Sequence, residues 1–198
     1  DLVKSGLIGH SEGGLIAPMV GAQTKDVSLM VLLAGVGLPG DKLHRRQVED
    51  LMRMAHASES DILKALALND KIYALLKNEK DNPAIEDKLA ALIKQEVPEG
   101  SDVSASVKAY ATPWFRYFIN VDPTMYLQKI KCPVLALNGS KDIQVDAKEN
   151  LDAIETILKT SGNKNVTTKE FPELNHIFQT ATTGAIHEYA TIEETFAP

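Results

Sequence analysis

The sequence is poor in features that would point to a disulfide-stapled or membrane-spanning protein. It has one cysteine, Cys132, so no disulfide can form within the chain. Cys132 stands in the apolar stretch KCPVLAL (131–137), which is typical of a buried strand, so we expect a packed thiol rather than a reactive one. No apolar run approaches the ~20 residues that a helix needs to cross a bilayer. We therefore expect no membrane association.

Positive charge is also scarce, which argues against a nucleic-acid partner. The 198 residues include 21 Lys and Arg against 27 Asp and Glu, a formal net charge of −6. The densest basic spot is His-Arg-Arg at 44–46, which we interpret as a solvated helix face. No pair of histidines forms an HxxxH or HExxH pattern, so we expect neither a metal nor another cofactor.

Apolar runs predict a parallel sheet. Three short apolar runs bounded by turn residues are typical of buried strands: 4–10, 27–35 and 132–139. The segment 166–172 alternates and is β-branched, so we expect a fourth strand nearer an edge of the sheet. Helical patterns follow the first and third runs, and Asp146 with Glu149 fits a capping box for a helix over 147 to about 160. Alternation of strand and helix predicts an α/β fold.

The region 39–112 interrupts this alternation with a helical insertion. Apolar residues recur there at helical spacing and predict three or so amphipathic helices. Ser60 is a candidate N-cap, and Asn82-Pro83 reads as an N-cap with the first helical residue. We therefore divide the chain into a core of 1–38 and 113–198 and a helical unit of 39–112.

The stretch GLIGHSEGG (6–14) contains the pattern G-x-S-x-G between a predicted strand and a predicted helix. In that context Ser11 is a candidate nucleophile on a sharp, strained turn. Large side chains at Gly9 and Gly13, two residues either side, would collide with the adjacent backbone. The backbone N–H of Glu12, at the start of the helix, is placed to hold a developing oxyanion.

A serine nucleophile needs a histidine base and a carboxylate that orients it. Reacting groups in parallel sheets gather at the carboxyl ends of the strands. Asp142 follows the third predicted strand and His176 follows the fourth, in the chain order Ser, Asp, His. Asp146 is the alternative acid, but helix capping explains it. We therefore assign Ser11, Asp142 and His176 to a catalytic triad.

The remaining histidines receive structural interpretations. His10 precedes the nucleophile and is expected to point away from it and to make a structural hydrogen bond. His187 follows an irregular stretch with no strand end before it, and His44 and His56 suit surface positions in the helical unit.

With these motifs the sequence resembles the α/β-hydrolase superfamily. GHSEGG, CPVLALNGSKD and LNHIFQ are similar to bacterial serine esterases and acyl-thioester-hydrolase-like proteins related to the prolyl-oligopeptidase type. The resemblance implies the same triad and implies that 39–112 forms a helical cap over the active site. It also implies that Trp114, Phe115 and Phe118 lie near an acyl pocket, although plain core packing explains aromatic residues equally well.

The family's fold is an eight-stranded sheet in which the nucleophile follows strand 5. The four strands predicted here would be strands 5–8, so the chain resembles the C-terminal half of a longer enzyme. The loop that normally supplies the second oxyanion N–H would then be absent, and we expect the 198 residues alone to be a poor catalyst. The strand 4–10 would be an apolar edge, so we expect homodimerisation through it, or aggregation.

The function expected from the sequence is hydrolysis of small-molecule carboxylic esters through an acyl-enzyme. A serine peptidase and an acyl-CoA thioesterase or acyltransferase use the same triad, and a non-catalytic binding module of the same fold is an alternative of another class. Neither the physiological substrate nor the localisation follows from the sequence.

Overall fold

The computed structural model describes residues 5–79 and 84–198 and contains a parallel four-stranded sheet. The strands are β1 (Ser5–His10), β2 (Val27–Leu33), β3 (Val134–Gly139) and β4 (Val166–Phe171). They lie in the order β1-β2-β3-β4, and each neighbouring pair is parallel. The predicted α/β class with a parallel sheet is confirmed.

Helices connect the strands along the chain. They are α1 (Glu12–Gly21), α2 (Gly40–Met54), α3 (Glu59–Asn78), α4 (Ile85–Lys94), α5 (Ser104–Ala111), α6 (Pro113–Asn120), α7 (Thr124–Leu127) and α8 (Ala147–Thr160), with a 3₁₀ turn at Ile186–Glu188. Within the described residues, none of these helices combines the length and hydropathy needed for a membrane span.

The chain forms two compact units, Asp1–Leu38 with Asp122–Pro198, and Pro39–Val121. The second unit extends beyond the expected boundary at residue 112 and includes α6. The reason is packing, because Phe115 and Ile119 of α6 are buried in the hydrophobic core of the second unit.

The core of the first unit lies between the sheet and its helices. Leu32 of β2 and Ala136 of β3 are fully buried and pack with Ile154 of α8. These residues bury one face of the two central strands, whereas Leu29 of β2 is 46% exposed, so β2 is not covered along its whole length as a continuous apolar run predicts. Cys132, just before β3, packs against this core half-buried, and burial raises the pKa of its thiol, in line with the expected packed cysteine.

Helix caps follow the sequence in part. The Asp146 side chain accepts a hydrogen bond from Glu149 N at 2.8 Å, which confirms the predicted cap of α8. Ser60 is not the cap of α3, because Ser58 accepts the bond from Asp61 N and the helix begins one residue before Ser60. The predicted cap at 82–83 lies outside the described residues.

The second unit contains α2 to α6, more helices than the three or so expected for 39–112. Its basic stretch at 44–46 is not simply solvated. Arg45 pairs with Asp70 at 3.2 Å, and Arg46 pairs with Asp50 at 2.9 Å. His44 packs among aromatic rings, so its expected surface position is wrong.

Candidate active site

The turn after β1 holds Ser11 in a strained backbone conformation. Its φ of 55° and ψ of −117° lie in a region that non-glycine residues rarely occupy. Ser11 N donates to Leu33 O at 2.9 Å, and Gly14 N donates to Ser11 O at 2.8 Å, so hydrogen bonds on both sides fix the turn. This strand–turn–helix geometry is that of a nucleophile elbow.

Close backbone packing explains Gly9, as the sequence suggested, and Gly14 rather than Gly13. A Cβ at Gly9 would lie 2.0 Å from Gly13 O, and a Cβ at Gly14 would lie 2.7 Å from Gly35 Cα. A Cβ at Gly13 would meet no described atom within 4 Å, so the expected collision there is wrong. The tight approach falls on Gly14 instead, because α1 packs there against the segment after β2.

The structure brings Ser11, Asp142 and His176 together in one hydrogen-bonded chain. His176 Nδ1 lies 2.8 Å from Asp142 Oδ2, and His176 Nε2 lies 3.0 Å from Ser11 Oγ. An ionised carboxylate only accepts hydrogen bonds, so Nδ1 carries the proton and Nε2 is left as the acceptor for the serine hydroxyl. This is the tautomer that a histidine base needs to take a proton from serine.

Asp142 is held by the backbone as well as by His176. Its Oδ1 accepts from Gln144 N at 2.8 Å and from Val145 N at 2.9 Å, and its side chain is fully buried. These bonds hold Oδ1 on the loop and leave Oδ2 for His176. The carboxylate therefore has a fixed orientation toward the imidazole.

The loops that carry the acid and the base are bonded to each other. Lys141 N donates to Leu174 O at 2.9 Å, and Glu173 N donates to Ser140 Oγ at 3.0 Å. Within the histidine loop, the buried Asn175 side chain accepts from two backbone amides and donates to Gln179. Asn175 is a supporting residue that sequence reasoning missed, although its place next to His176 in a turn was a usable signal.

His10 makes the structural hydrogen bond that was expected, and its partner is the base residue itself. His10 Nε2 lies 2.8 Å from His176 O, and the two ring centroids are 4.9 Å apart. A carbonyl oxygen only accepts, so Nε2 of His10 is the donor. The residue next to Ser11 therefore tethers the loop that carries His176.

The remaining expected groups are placed as follows. Glu12 begins α1, which puts its backbone N–H at the positive end of the helix. Phe115 is 7% exposed within the core of the second unit, whereas Trp114 is 51% exposed and stacks on Phe118 at 5.2 Å. Packing thus accounts for Phe115, and an acyl pocket at these aromatic residues stays a prediction.

The parallel sheet, the strained serine and the chain order Ser, Asp, His together identify the fold. The chain has the α/β-hydrolase fold. Its four strands match the C-terminal half expected from the sequence. Among the described residues, no group of three His, Cys, Asp or Glu side chains is arranged to hold a metal ion.

Several solved structures are similar to this chain. A proline iminopeptidase-related protein from Thermus thermophilus is 19% identical with a TM-score of 0.47, over 87% of this chain and 57% of that one. An esterase from Pyrococcus furiosus is 16% identical with a TM-score of 0.43, over 84% and 45%. An acylaminoacyl peptidase from Pyrococcus horikoshii is 14% identical with a TM-score of 0.44, over 89% and 20%.

This chain thus spans between one fifth and three fifths of the length of those three proteins. The sequence matches no protein-family model and no curated protein.

Proposed function

We propose that this chain carries the catalytic triad of a serine hydrolase that cleaves carboxylic esters, with Ser11 as nucleophile, His176 as base and Asp142 as the orienting acid. One observation supports the proposal above all others, namely the continuous hydrogen-bonded chain from Asp142 through His176 to Ser11. Strain at Ser11 and burial of Asp142 add to it, since both hold the reacting groups in place before substrate arrives.

The first half of the reaction forms an acyl-enzyme. His176 Nε2 takes the hydroxyl proton of Ser11 while Oγ bonds to the ester carbonyl carbon, and the carbonyl oxygen becomes an oxyanion. The backbone N–H of Glu12 donates to that oxyanion. The bond to the alcohol oxygen then breaks, and the proton on Nε2 passes to the departing alcohol.

The second half repeats these steps with water. His176 Nε2 removes a proton from water as its oxygen attacks the acyl carbon, and the proton then returns to Ser11 Oγ as the acid leaves. Asp142 stays ionised throughout, holds the tautomer of His176 and stabilises the imidazolium. Every proton is accounted for by Ser11, His176 and water, so the mechanism requires no cofactor.

Covalent labelling tests the proposal without depending on the natural substrate. A fluorophosphonate reacts with an activated serine, so we expect a single label on the peptide that contains Ser11, identified by mass spectrometry. Ser11→Ala should remove the label, and Ser106→Ala, which changes an exposed serine of α5, should keep it. No label on a folded full-length protein, in which the loop with the second oxyanion N–H is present, would favour a non-catalytic binding module.

The leaving group separates the ester proposal from its two rivals. Paired substrates with one acyl group, as a p-nitrophenyl ester, a p-nitroanilide and a coenzyme A thioester, compare the three activities on the same protein. We expect turnover of the ester to exceed that of the other two and to disappear in Ser11→Ala. Faster turnover of the anilide would indicate a peptidase, and faster turnover of the thioester would indicate a thioesterase.

A further inference from the structure

Arg116 on α6 has a buried guanidinium edge with no hydrogen-bond partner among the described residues. Its Nε and Nη2 atoms are both buried and make no hydrogen bond to any described residue. The chain has four arginines, and the other three pair with carboxylates. Arg116 is therefore the exception among them, and its unpaired atoms need a physical explanation.

A guanidinium in this situation cannot relieve its cost by losing a proton. Arginine stays charged at every pH that proteins tolerate, whereas a buried lysine or histidine becomes neutral. Arg116 as a whole is half-buried, but burying two donors of a charged group without acceptors is unfavourable. An anion bound at this edge would supply the missing acceptors.

The two orphaned atoms also have the geometry of a binding edge. Nε–H and Nη2–H lie on the same side of the planar guanidinium and point in nearly parallel directions. Two parallel donors match two neighbouring oxygens of one carboxylate or phosphate group, which is the usual bidentate mode of arginine. Because the orphaned pair is this edge rather than two unrelated atoms, the ligand it fits is an oxyanion.

The position of Arg116 on α6 strengthens such an interaction. On the same helix, Phe115 precedes Arg116 directly and Ile119 follows it by three residues. Both are buried in the core of this unit. A charge-assisted hydrogen bond gains strength where apolar neighbours exclude water. An anion at this edge would therefore be held more firmly than at an exposed arginine.

We propose that Arg116 is an anion-binding residue that holds the carboxylate or phosphate group of a small ligand through Nε and Nη2. The proposal does not depend on the chemistry at Ser11. One internal rival exists, because Asp41 of the same unit has a buried Oδ1 without a hydrogen-bond partner among the described residues, while its Oδ2 pairs with Lys77 at 2.8 Å. A direct pair between Asp41 and Arg116 in solution is therefore an outcome that the test must detect.

Binding of matched probes to the full chain tests the site. Benzoate and phenyl phosphate present the two anion chemistries on one ring, and benzamide is the neutral control. We expect isothermal titration calorimetry at constant ionic strength to show binding of at least one anion and none of benzamide. The tighter of the two anions identifies the chemistry of the natural ligand.

Variants assign the binding to this side chain. Arg116→Gln should weaken it by at least about tenfold, since two charge-assisted bonds are lost. Arg45→Gln removes the same charge from an exposed ion pair and should leave the affinity unchanged. No binding by wild type, or equal binding by Arg116→Gln, would overturn the proposal, and so would binding that appears only in Asp41→Asn.

The thermal midpoint, measured without ligand, tests the proposal even if Arg116→Gln fails to fold. Arg116→Met removes the unpaired charge and keeps most of the apolar stem, so we expect its thermal midpoint to rise by a few degrees above wild type. A lower midpoint would show that the guanidinium already has a partner in the free protein, and would contradict the proposal.

Discussion

Asp142 and Asp146 stand four positions apart, yet hydrogen bonding separates their roles. Asp142 directs Oδ2 to His176 and holds Oδ1 on two backbone amides. Asp146 accepts from Glu149 N at the start of α8. Residue type alone does not distinguish them. Position relative to the strand end and to the helix start does, and both interpretations could be made from sequence.

The pair of asparagine variants tests this separation. Asp142→Asn keeps the size of the side chain but favours the wrong tautomer of His176, so the rate of fluorophosphonate labelling should fall by roughly 10³–10⁴. Asp146→Asn remains a good N-cap and should label at the wild-type rate. Labelling reactions that are stopped at successive times and analysed by mass spectrometry give both rates. An equal loss of labelling rate in the two variants would contradict the assignment.

We also predict that His10 positions the base. His10→Leu removes the bond to His176 O, which should loosen the histidine loop and slow the labelling of Ser11 by roughly tenfold, the worth of one such bond. His10→Gln presents an amide nitrogen near the position of Nε2 and should restore most of the rate. Labelling rates of wild type, His10→Leu and His10→Gln, measured across pH, test this prediction.

The control for His10 is the thermal midpoint. If His10 has only a structural role, then His10→Leu and His10→Gln should lower stability alike, and the folded protein should be labelled at the wild-type rate. If His10→Leu labels as fast as wild type, then the tether has no part in positioning His176.

At the scale of elements, strands were easier to predict than helix ends. The first three strands are apolar runs closed by turn residues, whereas β4 was predicted from its alternating, β-branched pattern, and each strand lies within two residues of its predicted bounds at either end. Ser58 and Ser60 are both acceptable caps in sequence, and the choice depends on which serine reaches a free amide. The boundary of the second unit was missed because the burial of α6 is decided by tertiary packing.

The contact between α2 and α3 yields a prediction about pH. His44 of α2 lies 2.6 Å through Nδ1 from Tyr73 OH of α3, and burial lowers the pKa of His44 to about 4 from its usual 6.5. The unfolded chain therefore binds a proton that the folded chain excludes between these values. The free energy of unfolding should fall as pH decreases from 6.5 toward 4, by at most about 3 kcal/mol from this group.

Urea unfolding of wild type and His44→Asn at several pH values isolates that contribution. Asparagine can still bond to Tyr73 but does not titrate, so the variant should lack this part of the pH dependence. The remaining titratable groups titrate in both proteins, so their contributions cancel in the difference. If the free energies of unfolding of the two proteins follow parallel curves from pH 7 to pH 4.5, then His44 is not buried in its neutral form.

At the scale of the whole molecule, convergence of the site follows from the topology of the sheet. Parallel strands end at one edge, so residues after β1, β3 and β4 meet although up to 165 positions separate them. Sequence patterns therefore sufficed to predict that Ser11, Asp142 and His176 lie together. They did not reveal Arg116, because an unpaired side chain leaves no periodic signal, and burial becomes visible only after folding.

The same topology leaves β1 paired on one side only among the described strands. Ile8 of β1 is 72% exposed and Leu29 of β2 is 46% exposed, and the pairing of Gly6 with Leu29 puts both side chains on one face. An exposed strand edge bordered by apolar side chains invites pairing with a second chain. We therefore predict a homodimer formed through β1.

Sedimentation velocity over a range of protein concentrations measures this association. Ile8→Lys places a charge on the edge strand and should shift the protein toward monomer, whereas Leu63→Lys, which changes an apolar residue of α3 that is 63% exposed, should not. The two variants alter charge equally, so a general effect on solubility would appear in both. A wild-type monomer at the highest concentration, or equal dissociation by the two variants, would show that β1 is not the interface.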